Sequence, residues 1–206
     1  MPRNYLATLA KSVIEADTLA ARMPNIRPFR FDPEKALQVI LYLATKAAIP
    51  DIIHVCKCLY FADKKHLEQV GRFICGDNYI AMTNGPVPSG TYDLIRDVKD
   101  PNRRSLWADD ARSTFGLQGW RIMPLAQPDT SVFSKNELAS LDWAIENYSA
   151  LTARQLIDIS HEEKAYKEAD PNGDISIEAI ARSLPDADLL LEHLRDPDPA
   201  RELEPA

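Results

Sequence analysis

The chain has 206 residues, 45% of them hydrophobic and 27% charged, with a formal net charge of −7. That size suits one domain with a substantial core plus modest terminal additions, and the composition lies away from the disordered and collagen-like classes. The negative charge argues against nucleic-acid binding because no concentrated Lys/Arg face offsets it, and the absence of a bilayer-length apolar run or a secretory leader pattern leads to the expectation of a cytoplasmic protein.

Leu6, Leu9, Val13, Ala16 and Ala20 recur at steps of three and four, which predicts an N-terminal amphipathic helix ending before Pro24. Asp32-Pro33 supplies a cap and a first-turn proline for a second helix, apolar nearly all round, through about Ala48. Asp51 starts a third, from about Ile52 to Val70, with Gly71 as its left-handed stop. Residues 73–83 read as β-like before an Asn84-Gly85-Pro86 turn. A short helix follows from Pro88-Ser89 and breaks at Asp100-Pro101. Residues 102–127 fit one or two short strands joined by turns.

Two later helices announce themselves by capping boxes, Ser134 with Glu137 and Thr152 with Gln155. A turn at residues 170–174 and further short helices complete a mainly α, α+β expectation: a compact helical domain with a small antiparallel β element and an N-terminal amphipathic helix.

Three stretches in order, LYFADKKHL at 59–67, GRFICGDNYIA at 71–81 and GPVPSGTY at 85–92, are similar to the Panacea (SocA-like) antitoxin domain. A weaker echo lies at 156–166, around Ser160, His161 and Tyr166. The resemblance implies a small helical domain at about residues 31–183, flanked by an extension at 1–30 and an acidic helix or tail at 184–206. It also implies a bacterial antitoxin that neutralises a cognate toxin, encoded by an adjacent gene, through direct contact, with no enzyme activity and no cofactor. One branch of the family acts instead as an adaptor that delivers its toxin to a AAA+ protease. The residues that carry the resemblance are Tyr60, Asp63, His66, Gly71, Gly76, Asp77, Tyr79, Gly85, Pro86, Pro88, Tyr92 and His161.

Placed on a helix, Asp63 falls in the middle of the apolar stripe formed by Ile52, Cys56, Leu59, Tyr60, Leu67 and Val70. An unpaired carboxylate there would be strongly unfavourable. Asp63 is therefore expected to accept hydrogen bonds from amides of the 71–77 loop, with Gly71 and Gly76 giving backbone freedom and Tyr79 packing behind. The competing reading is a small hydrolase using Asp63 and His66.

His54, Cys56, Cys58, His66 and Cys75 do not present the paired cysteines across a turn that a structural zinc site uses, so free reduced thiols and no metal are expected. Asp170, Asn172 and Asp174 begin like a calcium loop, but Ile175 replaces its glycine and Ala181 its bidentate glutamate. For the toxin surface two places are candidates. One is the apolar face of the N-terminal helix, through Leu6, Leu9 and Val13, which could equally pack on its own domain. The other is a proline-stiffened ridge at Pro86, Val87 and Tyr92, read as exposed, with Trp107 and Trp120 as aromatic anchors that would suit a core equally well. The tail carries seven acids against two arginines from Leu184 onward, and it reads either as a solvated, frayed tail or as a handle for a protease or a basic partner.

Overall fold

The computed structural model describes Ile26 and residues 29–195. The helix expected through Leu6, Leu9 and Val13, and the acidic stretch after Arg195, lie outside the described residues.

Helix α1 (Pro33–Lys46) begins where the Asp32 carboxylate accepts from the Lys35 amide at 3.0 Å. It is buried over almost its whole circumference from Lys35 to Ala44, so it cannot be a surface helix. Helix α2 (Ile52–Val70) starts in the same way, with Asp51 accepting from the His54 amide at 2.9 Å, and Gly71 closes it at φ 78°. This is the central helix, with Val55, Leu59, Tyr60 and Leu67 fully buried.

Strands β1 (Tyr79–Met82) and β2 (Gly85–Pro88) form an antiparallel hairpin in which Tyr79 lies across from Pro88 and Met82 from Gly85. Helix α3 (Ser89–Lys99) leaves its end. The stretch after α3, expected as strands and turns, also contains a helix, α4 (Ala108–Thr114), which runs directly into β3 (Phe115–Gln118) and its hairpin partner β4 (Arg121–Pro124).

Helices α5 (Lys135–Tyr148) and α6 (Ala153–His161) each carry a complete capping box, Ser134 with Glu137 and Thr152 with Gln155. Helix α7 (Lys164–Glu168) leads to β5 (Asp174–Ile175), which pairs antiparallel with Tyr79 and Ile80 and makes the first sheet three-stranded in the order β2-β1-β5. Helices α8 (Ile177–Arg182) and α9 (Ala187–Arg195) follow.

The fold is mainly α with a small antiparallel β element. Its core is a single cluster with α2 at the centre, packed lengthwise against α5 and more locally against α1, β2 and α6. Phe61 of α2 stacks on Tyr148 of α5 with ring centroids 4.1 Å apart. Leu191 and Leu194 of α9 are buried in the same cluster, so the packed body extends past residue 183 to the end of α9.

Candidate functional site

The site that the sequence singles out is the loop between α2 and β1. Asp63, nearly two-thirds of the way along α2 and fully buried, accepts from the Ile74 amide at 2.7 Å and from the Tyr79 hydroxyl at 2.6 Å. One amide of the loop and one phenol of the first strand therefore satisfy the carboxylate. Tyr79 is a donor rather than only a packing surface. Its ring also meets Tyr60 and Phe73 edge-on, with centroids 5.1 and 5.5 Å away. Burial pushes the Asp63 carboxyl up to about 7, against the two hydrogen bonds that pull it down.

Asp77 closes the other end of the loop. Its carboxylate accepts from the Gly90 amide at 2.8 Å, and from the Thr91 amide and hydroxyl at 2.7 Å each. Helix α3 has no side-chain cap at Pro88. Asp77 supplies that cap from twelve residues before the helix begins, where the exposed amides and the helix dipole both favour a carboxylate. Burial raises its pKa even so, with the Thr91 and Gly90 donors opposing.

Gly76 lies between these two carboxylates with φ 65°, against the segment that enters the domain. A Cβ built there would collide with the backbone oxygen of Arg30. The same crossing is tied by the Asp32 amide, which donates to the Cys75 carbonyl at 2.9 Å, and by Phe29 edge-on to Phe73.

His66 Nδ1 lies 2.7 Å from the Arg72 carbonyl. A carbonyl only accepts, so Nδ1 carries the proton and the buried Nε2 is an acceptor with no partner among the described residues. Burial lowers the pKa of this imidazole. Asp63 and His66 thus each serve a different backbone contact, and both are shut away from solvent.

Lys57 is the polar residue that the sequence reading missed. Flanked in sequence by Cys56 and Cys58, it is 2% exposed, and its ammonium donates to the Pro86 carbonyl at 2.8 Å. Burial pulls it down to about 8. A side chain at Gly85 would run into this ammonium and the Ser160 hydroxyl. Three further sets of contacts tie distant segments together. Tyr60 and Lys64 both donate to Glu163. His54 is held between Asp51 and the Leu151 carbonyl at 2.7 Å each. Glu137, beyond its capping role, pairs with Lys35 at 3.2 Å and Arg72 at 3.3 Å. A charged residue of α2 facing inward was the signal for Lys57, but a lone Lys in a helix reads equally well as surface.

The remaining candidates separate. The ridge at 85–88 is not exposed: all four residues of β2 are buried, because the strand is covered by α2 and α6. Pro86 and Val87 are thus not surface groups, and Tyr92 is half-buried against the core. Trp107 packs against the core at the start of α4, whereas Trp120 is 62% exposed at the β3–β4 turn. His161 stacks on Tyr166 at 4.8 Å, and the Tyr166 hydroxyl donates to the Met82 carbonyl. Cys56, Cys58 and Cys75 are buried thiols, the first two pushed up to about 12 by burial. Among the described residues no helix is long and apolar enough to cross a membrane.

These features define a helical module whose distinguishing polar residues lock one loop between a central helix and a small sheet. A family model described as antitoxin SocA-like, Panacea domain, matches residues 55–167, and the chain belongs to that family. The matched stretch runs from α2 to α7 and contains the Asp63 and Asp77 contacts. No curated protein and no solved structure matches the chain.

Proposed function

We propose that the chain neutralises a cognate protein toxin, encoded by an adjacent gene, through direct protein–protein contact in the cytoplasm and without a catalytic step. Membership of an antitoxin family supports the toxin–antitoxin role. The observation that carries the non-catalytic reading is the inward use of the motif carboxylates. Asp63 and Asp77 accept from neighbouring amides and hydroxyls at 2.6–2.8 Å and are at most 1% exposed. A general acid or base must reach a substrate proton, and these groups face the fold.

Coexpression with the adjacent gene tests the proposal. The neighbour alone should arrest growth, and this chain should restore it and copurify with the toxin. A neighbour that is harmless alone, or that this chain fails to rescue, sinks the reading. The adaptor alternative is favoured only by the acidic composition after Leu184, with seven acids against two arginines. Toxin half-life separates the two, since a pure inhibitor leaves turnover unchanged and an adaptor shortens it.

A further inference from the structure

Exposed apolar side chains gather on the β3–β4 hairpin. Trp120 is 62% exposed at the turn, Met123 39% on β4, and Leu125 62% just beyond it. Strand alternation sends Phe115 and Ile122 into the core, both fully buried, and leaves Gly116, Gln118, Arg121 and Met123 on the outer face.

Gly116, across from Met123 in the register, is unexplained by the described residues. Its φ is not in the left-handed region, and a Cβ placed there would meet no atom of the described residues within 4 Å. Glycine inside a strand weakens the strand and often marks the place where another backbone approaches closely. Gly119 differs: with φ 62° at the first position of a two-residue turn, it meets a real conformational demand.

The charge of this face also departs from that of the chain. Lys99 Nζ sits 4.3 Å over the Trp120 ring, and the exposed Arg121 has no acidic side-chain partner among the described residues. A net charge of −7 makes a basic, aromatic spot the exception. The turn is also firmly supported. The Trp120 carbonyl accepts from the Ile52 amide at 3.0 Å, and the Ile122 amide donates to the Pro50 carbonyl at 2.8 Å. An anchor presented by a rigid support loses little freedom on binding.

We propose that the outer face of this hairpin is the toxin-docking surface. Its partner is a protein offering an apolar pocket for Trp120, carboxylates opposite Lys99 and Arg121, and main chain passing over Gly116. This inference rests on the neutralisation reading and adds the surface and the partner's chemistry.

The test uses the full chain and, as probe, the toxic product of the adjacent gene, with affinity measured for wild type, Trp120→Ala, Arg121→Glu and Gly116→Thr. Each variant should melt within a few degrees of wild type, Gly116→Thr at or above it, and each should lose affinity, Trp120→Ala by about tenfold or more. Binding should also weaken with added salt, as a charge-matched interface does.

Wild-type rescue with all three variants binding as wild type overturns the surface and leaves neutralisation standing. Failure of the wild type itself to bind or rescue overturns both. A markedly lower melting point for Gly116→Thr overturns the reading of that glycine. A protein that is dimeric alone and becomes monomeric with Trp120→Ala assigns the face to a second copy. A Trp120 indole signal that shifts on removal of residues 1–25 assigns it to the chain's own N-terminal segment. Either result overturns the proposal.

Discussion

The Tyr79 hydroxyl reaches Asp63 at 2.6 Å in a place closed to water, the carboxylate being 0% and the tyrosine 1% exposed. Among the described residues no cation hydrogen-bonds Asp63. The pair therefore tolerates a proton better than a bare charge, which is why burial carries the carboxyl up to about 7.

A carboxyl whose folded pKa stands above its unfolded value of 3.8 makes the fold bind a proton that the unfolded chain has released. Its favourable contribution is present below pH 4 and is lost as pH rises through 7. Asp63→Asn keeps an acceptor for the Ile74 amide and removes the titration. The stability of the variant relative to wild type should therefore rise between pH 4 and 7, by up to a few kcal/mol. Asp63→Ala leaves both donors unpaired and should be less stable than Asp63→Asn at pH 7. Urea melts across that pH range check both statements, and parallel curves for wild type and Asp63→Asn would refute the linkage.

Lys57 gives the opposite slope. Its ammonium, pulled down to about 8 from an ordinary 10.5, is held at a disadvantage below pH 8 that disappears as pH rises to 10.5. Lys57→Met keeps the volume and discards the charge, so it should lie within about 1 kcal/mol of wild type at pH 7 or above it. Lys57→Ala leaves a void beside β2 and should lose roughly 2–4 kcal/mol. Denaturant midpoints at pH 7 and pH 9.5 separate the two effects.

Asp77→Ala removes four hydrogen-bond contacts at once, those from Asn78, Gly90 and the amide and hydroxyl of Thr91. The uncapped first turn of α3 should lose about 2 kcal/mol or more. Thr91→Val deletes only the hydroxyl contact and should lose less. Amide exchange at residues 90 and 91 is the direct readout, and unchanged protection there would count against the capping role.

Gly76→Ala should be among the most destabilising single-methyl additions in the chain. The position has φ 65°, and the new methyl would meet backbone rather than a movable side chain. A loss of about 2–3 kcal/mol or poor expression is expected. Gly116→Ala is the matched control, since no atom of the described residues lies within 4 Å of its added methyl.

What was legible in the sequence was local. Asp32, Asp51, Ser134 with Glu137, and Thr152 with Gln155 each sit three residues from the amide they cap, so composition and spacing suffice to find them. Asp63 was legible because one acid interrupts an apolar stripe. The cap from Asp77 was not, because its amides lie 13 and 14 residues away. Helix α4 buries only Ala108 and Ala111 and gives no apolar period. Strand β5 has two residues and exists only because Tyr79 and Ile80 receive it. The Gly85–Pro88 segment reads as an exposed turn from its prolines, and only the packing of α2 and α6 over it shows that it is buried.

The loop lock also orders events in time. Its bonds join residues 11 to 16 apart, from Asp63 to Ile74 and Tyr79 and from Asp77 to Gly90 and Thr91. The ties that hold α5 and Glu163 to the rest join residues much farther apart, 65 from Arg72 to Glu137, 102 from Lys35 to Glu137 and 103 from Tyr60 to Glu163. Contacts between near neighbours close with a smaller entropy loss and form sooner. The stretch from α2 to the start of α3 should therefore acquire amide protection ahead of α5 in pulse-labelled refolding. On a ribosome it would be shaped before residue 137 has been added, so the segment carrying the family motif would form a template on which the rest of the chain condenses.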